Sequence, residues 1–200
     1  MGPSNIDTRL LASGEVASMA AALARSFHDD PIMEHLVPER DHVERIARFF
    51  TVDLTVLQVR GEVHVTPGLE GGALWAAPGQ WRMPLREIVR HAVPTARAFG
   101  PRVPRALKTL SVIEAHHPEE PHWYLAVLGT DPTHQGKGIG SALLAPVLDR
   151  CDDEGVGAYL ESSKESNIPF YRRHGFVVTE EIALPNGPSA WGMWRDPAPR

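Results

Sequence analysis

A glycine-rich stretch in the second half of the chain has the residue types of an anion-binding site. It reads DPTHQGKGIGSALLAP, residues 131–146, and glycine occupies positions 136, 138 and 140. The strand-like segment HWYLAVLGT precedes it and good helix formers follow it, which predicts a strand, a turn and a helix. The free amide groups and the dipole at a helix start favour bound phosphate. Glycines at that point let the phosphate approach the backbone closely.

The spacing of the glycines excludes two common phosphate loops. A Walker loop needs glycine, four residues, then Gly-Lys-Ser/Thr, but His134 lies five residues after Gly129. The dinucleotide fingerprint needs a third glycine where this chain has Ser141. A Gln-x-x-Gly-x-Gly pattern remains, formed by Gln135, Gly138 and Gly140. A flexible turn without a ligand is the alternative that this stretch alone leaves open.

Together with a second motif, this pattern resembles the GCN5-related N-acetyltransferase (GNAT) family. The second motif is YLESSKESNIPFYRRHGF, which contains the family's asparagine, Asn167, and its Tyr-x-x-x-Gly-Phe ending from Tyr171. The resemblance covers residues 121–178, and within the family the two motifs look like those of puromycin N-acetyltransferase-like members. It implies one N-acetyltransferase domain over residues 1–200, with the cofactor motifs within 121–178.

The resemblance implies acetyl-CoA as the acetyl donor and assigns residues to it. The pyrophosphate would bind the amides of the glycine-rich segment, and the pantetheine arm would bind the end of the preceding strand and an asparagine. The implied residues are, for the pyrophosphate, Gln135, Gly136, Lys137, Gly138, Ile139, Gly140 and Ser141, and for the pantetheine, Leu128, Gly129, Thr130, Asn167 and Tyr171. Gln135 stands where the family commonly has arginine, so backbone amides would carry most of the pyrophosphate binding.

Acetyl transfer to an amine needs a proton donor for the leaving thiolate and a proton acceptor for the amine. Tyr171 is the candidate acid, because a phenol with a pKa near ~10 can protonate a thiolate. Glu161 is the candidate base, since strand alternation could turn it into the cleft. A core tyrosine and a surface glutamate are the structural alternatives. Glu114 and residues 116–122 are second candidates for the base.

Other reactive residue types have simpler interpretations. His116, His117 and His122 match no standard metal spacing, so we expect no metal. Cys151 follows Leu143 and Val147 on one helix face, which indicates packing and not an acyl-carrying nucleophile.

The elements that must position these residues follow a strand-and-helix alternation that predicts an α/β fold. The resemblance specifies a mixed, mainly antiparallel central sheet flanked by helices, with a splayed parallel strand pair at the cofactor site and a bulge at Gly129. The residue patterns predict strands over 6–12, 62–66, 72–77, 122–130, 157–163, 177–184 and 189–195, helices over 15–27, 40–57 and from 138, a brief helix within 167–176, and helical patches in 78–121.

Composition restricts the partners. The chain has 200 residues and a net charge of −5, with a pI of about 6.0, which argues against nucleic-acid binding. Its one cysteine cannot form an internal disulfide. We find no secretory signal and no apolar run of membrane-spanning length, so a cytoplasmic protein without membrane contact is expected. The expected partner is a small-molecule amine, and the expected state is a monomer or homodimer. Acetylation of a protein or peptide amine, and a non-catalytic acyl-CoA sensor, are the alternatives.

Overall fold

A computed structural model describes residues 6–198, whose strands form one seven-stranded sheet with helices on both faces. The strands are β1 (Arg9–Leu10), β2 (Gly61–Val65), β3 (Gly71–Ala76), β4 (His122–Thr130), β5 (Gly157–Ser162), β6 (Val177–Ala183) and β7 (Ser189–Arg195). The helices are α1 (Val16–Ser26), α2 (Pro31–Leu36), α3 (His42–Arg60), α4 (Leu85–Phe99), α5 (Val103–Ala115), α6 (Ile139–Glu154) and α7 (Ile168–Arg172).

The strand order is β1-β2-β3-β4-β5-β7-β6, and every neighbouring pair is antiparallel except β4 with β5. The predicted α/β fold with one parallel pair is therefore confirmed. The first strand is shorter than the predicted 6–12, because only Arg9 and Leu10 pair with β2. The helical patches expected in 78–121 form α4 and α5, and α4 continues through Pro94.

One face of the sheet is covered by α1 and α3. Leu23 of α1 and Ile46 and Phe50 of α3 are almost completely buried, and the rings of Phe27 and Phe50 meet edge to face with centroids 5.1 Å apart. This is the amphipathic spacing that the sequence predicts. Val43, which shares that spacing in the first turn of α3, is 41% exposed.

The opposite face is covered by α6. Its side chains Leu143, Leu144, Val147 and Cys151 have no exposed surface and pack against β3, β4 and β5. Burial raises the pKa of the Cys151 thiol to about 12, so it remains a neutral packing group. The helix continues through Pro146.

The two parallel strands separate part-way along their length. β4 pairs with β5 only over His122–Leu125 against Gly157–Leu160, although β4 runs on to Thr130. In the ladder between β3 and β4, Leu74 pairs with Val127, but the next residue, Trp75, pairs with Leu125. The register therefore shifts at this point, and Ala126 is the extra residue of β4. Such a bulge bends the strand that carries it. The bulge predicted at Gly129 is therefore wrong, because that residue pairs in regular register with Gly72.

Glycine is needed at position 129 because of packing and not because of a bulge. A Cβ atom built there would lie 2.8 Å from Leu23 Cδ2 and 3.0 Å from Phe27 Cε2, so α1 packs directly on the backbone of β4. We expect Gly129→Ala to lower the free energy of unfolding by about 1–3 kcal/mol, because α1 must shift to admit the methyl group. Urea denaturation measures the change. Gly14→Ala is the control, since nothing lies within 4 Å of the Cβ atom built at that position, and an equal effect of the two substitutions would contradict this packing.

Candidate active site

A cavity of about 710 Å³ lies where β4 and β5 separate. Its walls come from the end of α1 and the loop after it, from the bulged half of β4, from the glycine-rich segment, and from the end of β5 with α7. Residues of the glycine-rich motif and of the tyrosine-containing motif therefore meet at one site, although about 30 residues separate Gln135 from Asn167 in the chain.

Most of the residues predicted to bind the donor line this cavity. They are Leu128, Thr130, Gln135, Gly136, Gly138, Ile139, Gly140, Ser141, Asn167 and Tyr171, and Glu161 lines it too. Two predicted residues lie outside the lining. Gly129 faces α1 as described, and Lys137 is exposed, with its Nζ donating to the carbonyl oxygen of Thr133 at 3.2 Å.

The glycine-rich segment turns sharply before α6. Gly136 and Gly138 have φ angles of +74° and +88°, a left-handed conformation that side chains other than glycine rarely adopt. A Cβ atom at Gly140 would lie 3.1 Å from the Phe170 ring. The first residues of α6 line the cavity, and the amides and dipole of a helix start favour an anion there.

Two polar side chains hold this segment in place. Asp131 accepts hydrogen bonds from the amide and hydroxyl of Thr133 and from Nε of Arg25 on α1. These contacts lower the pKa of its carboxyl to about 2, the Thr133 bonds contributing most. Gln135 donates from Nε2 to the Thr130 carbonyl oxygen at 3.1 Å. The sequence reasoning missed Asp131, although an Asp-Pro pair before a turn is a recognisable signal.

Tyr171 projects from α7 on the α6 face of the sheet. It is 8% exposed, and its ring contacts Phe170 and Phe176 edge to face. Burial, and secondly the charge of Asp30, raise the pKa of its hydroxyl well above the ordinary tyrosine value. The hydroxyl is therefore protonated at neutral pH and able to donate.

Asp30 is a second residue that sequence reasoning did not single out. Its Oδ1 caps α2 by accepting from the amides of Ile32 and Met33, and its Oδ2 accepts from the Ser163 hydroxyl. Burial raises its pKa. The adjacent Asp29 forms an ion pair with Lys164 at 2.9 Å. The loop after α1 is thus joined to the loop after β5 across one side of the cavity.

Glu161 lies on the other face of the sheet from Tyr171. Its side chain is 7% exposed, so the surface alternative is wrong. Residues 159 and 161 alternate with Leu160, which packs under α6, so they share the opposite face. The Glu161 carboxylate lies beside the hydroxyls of Tyr124 and Tyr159, whose pKa values are raised first by burial and then by its charge. Its Oε1 lies 3.5 Å from Nδ1 of His117.

The remaining candidates have defined places. Asn167 ends a 3-10 turn and occupies the N-cap position of α7, where its side chain forms no capping hydrogen bond. His116 lies 3.8 Å from Glu180 on β6, and Glu114 is exposed near the end of α5. Within residues 6–198, no group of three His, Cys, Asp or Glu side chains is placed to hold a metal ion. In the same range, no helix is both long and apolar enough to cross a bilayer.

Comparison with known proteins identifies this arrangement. The Acetyltransferase (GNAT) family model matches residues 103–176, which include the separating strands, the glycine-rich segment and α7. The chain is an acyltransferase with a GNAT fold. It is 29% identical over 178 residues to an uncharacterized N-acetyltransferase of Schizosaccharomyces pombe, an alignment covering 82% of this chain and 72% of that protein.

Two further similarities differ in how much of the acetyltransferase they cover. It is 35% identical over 68 residues to the L-amino acid N-acyltransferase MnaT of Escherichia coli, which covers 32% of this chain and 38% of that protein. A Corynebacterium glutamicum structure described as histone acetyltransferase HPA2 and related acetyltransferase superposes with a TM-score of 0.72. The two chains are 25% identical, and the superposition covers 98% of each.

The Glu161 face of the acetyltransferase contains another carboxyl, which is partly buried. Burial raises the pKa of Asp53 on α3 from 3.8 to about 7, and its charge acts on the Tyr124 hydroxyl. In the folded protein this carboxyl stays protonated over a pH range in which the unfolded chain ionises it. The unfolded state therefore becomes favoured as pH rises from about 4 to about 7, by about 1.4 kcal/mol per pH unit.

We expect Asp53→Asn to remove this dependence. The variant should be more stable than the wild type at pH 8, and the difference should vanish near pH 4, where the wild-type carboxyl is protonated in both states. Urea denaturation of both proteins at the two pH values measures the difference. Since every other group titrates in both proteins, an equal stability gap at pH 4 and pH 8 would contradict the raised pKa of Asp53.

Proposed function

We propose that this acetyltransferase moves an acetyl group from acetyl-CoA to the primary amine of a small molecule. Aminoacyl-nucleoside antibiotics such as puromycin are the first acceptors to test, on the sequence resemblance of both motifs. The observation that supports the proposal is the cavity between the separated strands. An anion-binding helix start forms one part of it, and a protonated tyrosine and a buried carboxylate reach it from opposite faces of the sheet.

The residues present fit acetyl-CoA. The amides at the start of α6 suit its pyrophosphate, and Lys164 and Arg173 add cationic side chains to the same cavity, with the imidazole of His134 beside them. The bulged part of β4, which has lost β5 as a neighbour, offers backbone groups to the amides of the pantetheine arm, and Asn167 offers a side-chain amide. When bound, acetyl-CoA supplies a thioester as the acyl donor.

Tyr171 and Glu161 divide the proton transfers. Tyr171 donates its hydroxyl proton where a thiolate leaves, because its raised pKa keeps that proton in place beforehand. Glu161 accepts a proton from the incoming amine on the other face. A binding protein without catalysis has no use for an acid and a base on both sides of one cavity, and this favours an enzyme over an acyl-CoA sensor.

A small acceptor is favoured by the joined loops. Asp29 with Lys164, and Asp30 with Ser163, close one side of the cavity where a peptide would need an open groove. The similarity to the structure described as a histone acetyltransferase keeps a protein amine as the second candidate. Release of free thiol from acetyl-CoA decides between them, measured with puromycin, agmatine, amino acids and lysine peptides in parallel.

The anion site can be tested with a pair of matched variants. We expect Gly140→Asp to weaken acetyl-CoA binding at least tenfold more than Gly140→Asn, because both bring the same bulk against Phe170 and only the aspartate repels phosphate. Calorimetry with acetyl-CoA measures the affinities, and melting temperatures check folding. An acidic residue in the first turn is favourable for a helix, so the aspartate variant should fold. Equal affinities of the two variants would place the pyrophosphate elsewhere.

The role of Tyr171 can be tested by removing its hydroxyl. Tyr171→Phe keeps the ring contacts with Phe170 and Phe176, so we expect an unchanged melting temperature and unchanged acetyl-CoA affinity. Turnover should fall by about 10²–10⁴-fold, the usual contribution of a positioned acid. Steady-state rates and thermal unfolding on one preparation measure both. A stable variant with wild-type turnover would remove Tyr171 from the mechanism.

A further inference from the structure

Two histidines lie in a line behind Glu161. His117 follows α5 and is buried, with its ring stacked on Trp81 at a centroid distance of 3.6 Å. Its Nε2 lies 2.9 Å from Nε2 of His122, the first residue of β4. On its other side, Nδ1 lies 3.5 Å from Glu161 Oε1. The imidazole of His117 therefore bridges the candidate base and a second imidazole.

The hydrogen-bond partners determine which nitrogens carry hydrogen. Nδ1 of His122 lies 2.6 Å from the Glu120 carbonyl oxygen, which can only accept, so this nitrogen carries the hydrogen. Burial, the largest influence, lowers the pKa of His122 and favours its neutral form. Its Nε2 is then an acceptor, and the hydrogen between the two rings belongs to Nε2 of His117.

This assignment leaves two acceptors facing each other. A neutral His117 has a bare Nδ1, and the Glu161 Oε1 opposite is buried and has no hydrogen-bond partner among the described residues. Unsatisfied buried acceptors are unfavourable, and a single proton between these two atoms satisfies both. The space between these two atoms is therefore a place for one proton.

The surrounding groups favour His117 as the receiver. The hydroxyls of Tyr124 and Tyr159 also face Glu161, but burial raises their pKa values, so both are already protonated. The charges that act on this cluster are Glu180 beside Tyr159, Glu120 beside His122 and Arg82 over the Trp81 ring, whereas the Asp53 carboxyl beside Tyr124 stays protonated up to about pH 7. Two carboxylates against one guanidinium favour a positive charge on the histidine pair once Glu161 has taken a proton.

We infer that His117 is a positioning residue that takes on the proton which Glu161 removes from the acceptor amine. This inference rests on the proposed transferase function. An N–H bond of the amine breaks as an O–H bond forms on Glu161. That O–H bond then breaks as an N–H bond forms at Nδ1 of His117, while the Nε2 hydrogen of His117 moves to Nε2 of His122. Each group returns to its starting charge except His122, which becomes the cation.

The His122 cation can then release its Nδ1 hydrogen to water and become neutral again, because the Glu120 carbonyl oxygen that accepts this hydrogen lies in the exposed segment 119–121. A second cavity, of about 350 Å³, reaches His117 from outside and is lined also by Trp81, Pro118 and Glu119. An amine that arrives as an ammonium ion must lose one proton to solvent before it attacks, and the two histidines provide that route.

Turnover as a function of pH tests the inference. The rates compare wild type, His117→Gln, His122→Gln and Glu161→Gln, with puromycin or the best amine of the panel above. We expect His117→Gln to lower kcat by about 10- to 100-fold near pH 7, toward the lower end of acid–base effects. The defect should shrink as pH rises, because more amine then arrives neutral. His122→Gln can accept the His117 hydrogen bond but cannot take the proton, so it should show the same pH-dependent defect.

A control and a structural alternative complete the kinetic test. His91→Gln on α4, where the ring contacts Glu87, should retain the wild-type profile. A purely structural role of His117 would lower turnover by the same factor from pH 6.5 to 9.5, and that result would overturn the inference. Wild-type turnover in His117→Gln would overturn it as well.

Histidine ring ¹⁵N spectra test the same proton without any acceptor amine. Near pH 8, signals assigned with the two glutamine variants should show hydrogen on Nε2 of His117 and on Nδ1 of His122. Hydrogen on Nδ1 of neutral His117 would overturn the inference. An inactive wild type on every amine would instead contradict the proposed function, since these spectra do not depend on turnover.

Discussion

The site depends on one interruption of the sheet, the end of pairing between β4 and β5 after Leu125 and Leu160. Inserting Ala126 opposite a regular strand bends β4 away at that point. The separation produces the cavity and frees one edge of β4 from its neighbour. It also lets side chains from both faces reach a common space, which a continuous sheet would keep apart. The positions of α6 and α7 matter because they border this opening.

Polar contacts hold the loops that border this opening in place. Asp131 ties the glycine-rich segment to Arg25 of α1, and Asp30 caps α2 while it accepts from Ser163. Apolar packing supports the rest, including the contact between α1 and the backbone of Gly129. The wall under α6 is thus held by apolar packing, whereas the loop walls are held by a few charged and polar pairs.

The sequence was sufficient for features that depend on local pattern. Alternation and helical spacing placed the sheet and the main helices, and the glycine spacing located the turn before α6. Features that arise from contacts between residues far apart in the chain could not be predicted from the sequence. Gly129 suggested a bulge, but only the packing of α1 explains that glycine, and the bulge falls on Ala126, which has no distinctive residue type. The roles of Asp30 and the line from Glu161 to His122 depend on loops that meet only in the folded chain.

The placement of Tyr171 and Glu161 on opposite faces of the sheet has an evolutionary consequence. On the proposed function, the donor half is built from α6, α7 and the glycine-rich segment, whereas the segment around His117 and the adjacent part of α3 border the other half. Substitutions in the second group can accumulate without disturbing the first. A lineage of such proteins can therefore diversify its acceptors while one donor half is inherited unchanged.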